Sequence, residues 1–363
     1  MMNSVIQRHP PYSGTDLTTN NNSNDATISS VKLSYYYWSL LVFIVLDISL
    51  LLVLRMQILH SNDYIYTTAV FYSEQIKLIF SILMCFIFDA KCSVNLLFEI
   101  LVKGFVVADK NSKYLDIFRL CIPAILYTIQ NNLQYIIDTS TLFQVLYQFK
   151  IISAALFSSV IIESRKLNYR EWFTIIGVCI GVSMVCGSQK DIHPHHAHNI
   201  IGILSVFTAC MTSGLAGILF EKIIKSSQSS IWVLNIQLSI ISILLSSIEC
   251  YMKDKDKIKL YGFNKGYDMY VIFVILCQAA VGLSVAMVVK YADNIHKGFA
   301  SSISIMIACV IEAYTFGETI IKYDAFFTGS LFIVICSAIF LHQHFKYNYV
   351  DTKLVRNSAI EQL

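Results

Sequence analysis

Two lysines, an aspartate, an asparagine and a histidine fall within the eight residues Lys290–Lys297, between two long apolar runs. A charge at the centre of a transmembrane helix costs roughly 2.5–3.5 kcal/mol on insertion scales. Such groups therefore belong at a membrane edge or on the wall of a polar cavity. The same arrangement recurs at Glu74 and Lys77, at Gln130, Asn131 and Asn132, and at Lys150. A chain that repeatedly sets amides and ammonium groups inside apolar runs is building a path for a polar, anionic solute. Lys77, Lys150 and Lys297 are the candidate anion contacts. Each could instead snorkel at a helix end. For Lys77, Glu74 at i−3 offers simple pairing. Lys150 is followed by a long apolar stretch before Glu163, which makes snorkelling harder. Gln130, Asn131 and Asn132 could read the edge of a pyrimidine, or could join helices within the membrane. Tyr147 stands at i−3 from Lys150 and could share its face or merely pack. Glu312 could pair with a cavity lysine, titrate, or sit at the periphery.

The elements that hold these residues follow from composition. The 363 residues are 56% hydrophobic and 14% charged, with a mean hydropathy of +0.60. A soluble domain could not cover that apolar surface with so few charges. Ten apolar runs, near 36–58, 66–89, 117–137, 141–163, 170–188, 199–220, 231–251, 269–289, 298–316 and 324–343, are read as transmembrane helices. Residues 93–107 read as a short interfacial helix. Five spans per half imply an inverted repeat. Residues 1–33 are expected as a disordered cytosolic tail, 34–344 as one transporter domain, and 345–363 as a cytosolic tail.

Lysine and arginine after runs two, four, six and eight place those loops and both termini in the cytosol. Lys253, Lys255, Lys257 and Lys259 follow run seven and conflict with that orientation, although Asp254 and Asp256 interleave with them.

Several functions are disfavoured. The ten cysteines are scattered singly, without Cys/His ligand spacing, so neither a disulfide framework nor a metal site is expected. His193, His195, His196 and His198 read as a solvated connector. No phosphate-binding loop of the ATP-driven type occurs, and no clustered basic patch suits nucleic acid. A polyprenyl-phosphate glycosyltransferase would need Asp-rich metal loops that this chain lacks. We expect no catalytic residue and no cofactor.

Six motifs then carry a family resemblance. They are Ser73-Glu74-Gln75-Ile76-Lys77-Leu78, Ile122–Leu133, and Gln144-Val145-Leu146-Tyr147-Gln148-Phe149-Lys150. Ser213–Gly217 with Phe220-Glu221-Lys222, Trp232–Gln237 and Lys290–Ala300 follow in order. From about Tyr64 to Leu341 the chain resembles the UDP-galactose, UDP-N-acetylglucosamine and CMP-sialic acid branch of the nucleotide-sugar transporters, in the drug/metabolite transporter superfamily. The resemblance implies a ten-helix, five-plus-five fold and a Golgi or endoplasmic-reticulum antiporter. Such a carrier imports a nucleotide sugar in exchange for a nucleoside monophosphate. It points to Lys77, Lys150 and Lys297 as phosphate contacts, to Asn131 or Asn132 as substrate contacts, and to Asn235 and Ser239 as cavity positions. CMP-sialic acid members carry tyrosines where Ser239 and Phe143 stand here, which favours a UDP-sugar. A drug or metabolite exporter of the same fold is the competing class. Lipid surrounds the protein, and association with a second copy or with a glycosyltransferase stays open.

Overall fold

The computed structural model describes residues 17–60, 64–106, 116–136, 145–162, 167–188, 200–227, 229–316 and 322–361. All regular structure among them is helical. The helices are α1 (Leu17–His60), α2 (Tyr66–Met84, continued by a π turn over Cys85–Asp89), α3 (Val94–Val106) and α4 (Asp116–Ile136). α5 (Phe149–Ile161), α6 (Tyr169–Gly187), α7 (Ile200–Ser226) and α8 (Ile231–Lys253) follow. Then come α9 (Lys255–Tyr261), α10 (Met269–Tyr291), α11 (Asn294–Phe316) and α12 (Tyr323–Glu361).

Among the described residues, eight helical stretches are long and apolar enough to cross a bilayer, and the chain is a multi-pass membrane protein. The expected third and fourth runs form shorter apolar helices, Phe118–Gln130 and Val145–Ile161. The latter turns at Gln148, so α5 proper starts at Phe149. α1 begins at Leu17, within the segment expected as a tail, and α12 continues past 344 to Glu361. α3 matches the short helix expected over 93–107 and lays Leu97, Ile100 and Leu101 against Val233 and Ile236. The histidine tract, Phe143 and Glu163 lie outside the described residues.

Packing joins helices far apart in sequence: α6 with α12, α4 with α7, α2 with α8, and α1 with α10 and α11. α5 packs on α7. One apolar cluster gathers Ile151, Ile175, Val182, Phe299, Ile333 and Phe340 from α5, α6, α11 and α12. A second gathers Leu120, Phe220, Ile224, Leu234 and Val289 from α4, α7, α8 and α10. Large apolar side chains such as Phe173, Leu204 and Leu244 are exposed on the outside, where acyl chains solvate them. Small residues set the closest approaches. A Cβ at Gly181 would stand 2.8 Å from the Gly329 carbonyl oxygen, so α6 and α12 meet backbone to backbone.

Polar ties fix the register of α2 and α8. Thr67 donates to Asp254 Oδ2 at 2.7 Å, joining the start of α2 to the end of α8. The Ser230 hydroxyl donates to Asp89, joining the opposite ends, so the two helices run antiparallel. Beside Thr67, Thr68 and Tyr267 share a hydrogen bond of 2.8 Å, and burial pushes the Tyr267 phenol up to about 12, which keeps it protonated. The lysines that trouble the orientation rule have local partners: Lys253 bonds Glu249 at 3.1 Å, Lys255 reaches the Tyr251 hydroxyl at 3.2 Å, and Lys257 lies 3.7 Å from Asp254.

Thr67→Val leaves the buried Asp254 carboxylate without this donor and should cost about 1–3 kcal/mol. The check is a lower thermal unfolding midpoint for the purified protein in detergent; an unchanged midpoint contradicts the assignment of this tie.

Candidate functional site

A cavity of about 490 Å³ opens among the helices, within the roughly 300–1,000 Å³ range of small-molecule sites. Its wall includes Glu74, Lys77, Gln130, Tyr147, Lys150 and Lys297, so six residues singled out by type and spacing converge on one space. They arrive from α2, α4, the turn before α5, α5 itself and α11.

Local structure explains how the cations are presented. The turn at Gln148 puts Lys150 in the first turn of α5, and α11 puts Lys297 in its own first turn. Helix N-termini carry a partial positive charge. Two helix ends therefore bring two ammonium groups to one place, while the amides of the α11 end are already taken by Glu221 and Asp293. Ser153 anchors the first of these ends by donating to the Cys210 carbonyl of α7 at 2.7 Å. The Lys150 ammonium rests 4.5 Å from the centroid of the Tyr147 ring. Gln130 Nε2 donates to the Tyr147 hydroxyl at 2.7 Å, which holds ring and amide together. Lys77 Nζ meets Glu74 Oε1 at 2.5 Å, so the pairing expected at i−3 does form, inside the cavity.

Several polar atoms stay unanswered by protein. Gln130 Oε1, Glu74 Oε2 and Asn294 Oδ1 are buried and find no hydrogen-bond partner among the described residues. Buried polar groups normally find partners. Their concentration on one cavity wall marks it as a place for a polar ligand.

Asn294, the asparagine of the Lys290–Lys297 stretch, is also on the wall, and the structure adds residues that spacing alone did not pick out: Tyr127, Ser213, Gln278 and Ser301. Asp47 of α1 accepts from Ser301 at 3.1 Å, within electrostatic reach of Lys150 and Lys297. A lone aspartate in the first apolar run was the available signal. Asn235 and Ser239 go elsewhere: both are buried on α8, outside the cavity lining. Asn235 Nδ2 has no hydrogen-bond partner among the described residues. Glu312 is buried on α11, off the cavity wall, and Arg55 is the charge that faces it. Asn131 and Asn132 continue the helix beyond Gln130, and their side chains lie outside the described ones.

Behind the wall at Asn294 lies a buried polar cluster drawn from the motifs around Glu221 and Lys290–Ala300. Glu221 Oε2 accepts the Asn294 backbone N–H at 3.0 Å, while its Oε1 takes Lys225 at 2.7 Å. Asp293 accepts the His296 backbone N–H at 2.7 Å and meets its ring Nδ1 at 2.6 Å. Gly217 makes room for this cluster, since a Cβ there would lie 2.5 Å from Asn294 Nδ2.

Comparisons with known proteins bear on the family and the fold. The family described as nucleotide-sugar transporter matches residues 30–343. The human UDP-N-acetylglucosamine transporter is 36% identical over 287 residues, covering 77% of this chain and 85% of that one. The Caenorhabditis elegans UDP-N-acetylglucosamine/UDP-N-acetylgalactosamine transporter is 34% identical over 338 residues, covering 89% and 96%. The human UDP-galactose translocator is 36% identical over 298 residues, covering 80% and 74%. A solved crystal structure with 10% sequence identity superposes with a TM-score of 0.59 over 84% of this chain and 96% of that one, a likeness of fold.

Proposed function

This chain belongs to the nucleotide-sugar transporter family, and from that premise we propose that it exchanges a UDP-sugar for UMP across a Golgi-type membrane. The carrying observation is the convergence of Lys77, Lys150 and Lys297 on one cavity, two of them at helix N-termini. A nucleotide diphosphate needs cations that can leave bulk water without losing a partner, and this wall supplies them. Tyr147 and Gln130 offer a ring face and an amide to the nucleoside; Asn131 and Asn132 lie one step further along the same helix. Asn235 and Ser239 act through the packing of α8 rather than by touching substrate, and Glu312 serves the α1–α11 contact. The chain itself performs no chemistry on the sugar.

The ten-span, five-plus-five reading has support in the helix pairing. Number the spans in order, with α4 and α5 as the third and fourth, and exchange each with the span five further along. The pair α4–α7 becomes α10–α1, α5–α7 becomes α11–α1, and α2–α10 becomes α8–α4. The pairs α2–α8 and α6–α12 map onto themselves. An inverted repeat has this self-mapping, and rocking of its halves would expose the lysine wall to each side in turn. The lysines and arginines after spans two, four, six and eight support both termini on the cytosolic side, against the four lysines after span seven.

The test is reconstitution in liposomes preloaded with UMP or with CMP, followed by a panel of labelled nucleotide sugars. UDP-sugar uptake stimulated by internal UMP supports the proposal. Stimulation by CMP with CMP-sialic acid uptake transfers it to the other pyrimidine. No trans-stimulation by either removes exchange altogether.

Gly282 gives a sharper local check. A Cβ there would approach Lys77 Cδ to 2.8 Å and Nζ to 3.3 Å. The lysine stem can swing aside, so Gly282→Ala should leave the unfolding midpoint unchanged. Displacing the ammonium should raise the KM for UDP-sugar about tenfold, the worth of roughly one charge-assisted contact. An unchanged KM would mean that Lys77 is not a substrate contact.

A further inference from the structure

A smaller chamber of about 250 Å³ adjoins the main cavity. The two share Glu74, Lys77, Tyr127, Gly282, Val285 and Lys297 on their walls, so two of the three lysines stand where the chambers meet. Beyond that junction the smaller chamber runs between α2, α4 and α8, past Thr128, Ser242 and Ser246 to Glu249. We propose that this chamber is the subsite for the sugar ring, and that Glu249 selects neutral hexoses against carboxylate-bearing ones.

The inference rests on the nucleotide-sugar reading and follows the shape of such a molecule. A nucleotide sugar is two uncharged bodies joined by a doubly charged linker. The protein offers two chambers joined at Lys77 and Lys297. The linker belongs at the cations. The nucleoside belongs in the larger chamber, with Lys150, Tyr147 and Gln130. The remaining chamber is small, sets the hydroxyls of Thr128, Ser242 and Ser246 among apolar residues such as Val70, Phe220 and Leu238, and has a carboxylate, Glu249, as its own charged group away from the junction. Hydroxyls and a carboxylate are the partners that sugar hydroxyls use, because each can accept from a donor that also accepts. Glu249 Oε1 takes Lys253 at 3.1 Å, at the last residue of α8, which fixes the position of the carboxylate. Ser246 donates to the Ile243 carbonyl at 3.1 Å and Thr128 to the Ala124 carbonyl at 3.0 Å, which leaves lone pairs on both oxygens for a sugar hydroxyl. An acidic sugar would bring a second carboxylate towards Glu249, and like charges placed together in a confined site are strongly disfavoured.

The experiment uses the full-length protein in liposomes loaded with UMP. Uptake is measured for UDP-N-acetylglucosamine, UDP-galactose, UDP-glucuronic acid and UMP. The wild type should take up at least one neutral UDP-sugar at least about tenfold better than UDP-glucuronic acid, as like-charge rejection requires. Glu249→Gln should lower the neutral-to-acidic ratio by about tenfold. Ser242→Ala, which alters no charge, should lower neutral UDP-sugar uptake severalfold relative to UMP. Ratios that do not move in either variant overturn the subsite. So does a fall of UMP and every UDP-sugar in equal proportion. A wild type that takes up no UDP-sugar overturns the transport reading itself, a result the variants cannot produce.

Discussion

Lys150→Ala should give a folded protein that no longer exchanges nucleotide for nucleotide sugar. Lys150 stands over the Tyr147 ring and faces Lys297 and Asp47 across the cavity. A charge-assisted contact to phosphate is worth about 3 kcal/mol at its upper end, or roughly a hundredfold in transport. Stability should not fall with activity. Taking a cation out of a confined, partly dehydrated place is neutral or favourable when no tight ion pair breaks. The paired measurement is exchange rate in liposomes and unfolding midpoint in detergent. Lys150→Gln separates charge from bulk, since it keeps the stem and loses the ammonium. Uptake near wild type in either variant would show that the cavity does not use this cation.

Gly214→Val should fail in the opposite manner, losing fold and transport together. A Cβ at Gly214 would lie 2.7 Å from the Ala154 backbone nitrogen and 2.8 Å from the Ser153 carbonyl carbon. Backbone atoms of a packed helix cannot swing aside as the Lys77 stem can beside Gly282. α5 and α7 must separate, which strains the Ser153–Cys210 hydrogen bond that holds the Lys150 helix end. Overpacking of this kind costs about 1–3 kcal/mol and sometimes more, and valine adds to the Cβ clash. A clear drop in the unfolding midpoint, accompanied by lost uptake, is the expected outcome. A stable, active Gly214→Val would mean that α5 and α7 are not held at this distance.

Much of this site was legible in the sequence, for a definite reason. Lysines inside apolar runs are too costly to be accidental, so Lys77, Lys150 and Lys297 announced a polar space before any helix was placed. Composition fixed the helical class, because lipid leaves the backbone few alternatives. What stayed hidden depends on which helix face turns inward. Asn235 and Ser239 share α8 with cavity-lining Ser242 and Ser246, yet they turn into the packed core. Tyr127, Ser213 and Ser301 are ordinary residues until packing sets them on the wall. Asp47 stood alone among apolar neighbours, and its relevance comes from Ser301, more than 250 positions away. The shortness of α5 was equally hidden, since its turn at Gln148 is held by α7, whose Cys210 thiol lies 3.5 Å from the Tyr147 carbonyl. Periodicity cannot register a contact made by another helix.

The pairing of distant helices has a consequence for how the protein is made. Chains are synthesised from the N-terminus, and segments that emerge first can pack only with what already exists. α1 rests against α10 and α11, and α6 against α12. The glycine of α6 that meets α12, Gly181, finds Gly329 only after nearly 150 further residues have left the ribosome. Until then α6 lies in the bilayer without α12, just as α1 waits for α10 and α11 and Asp47 for Ser301. A chain truncated before Tyr323 would insert most of its spans and still never close. α12 thus completes the packing of α6, a helix made far earlier, and the fold of the early segment waits on the late one.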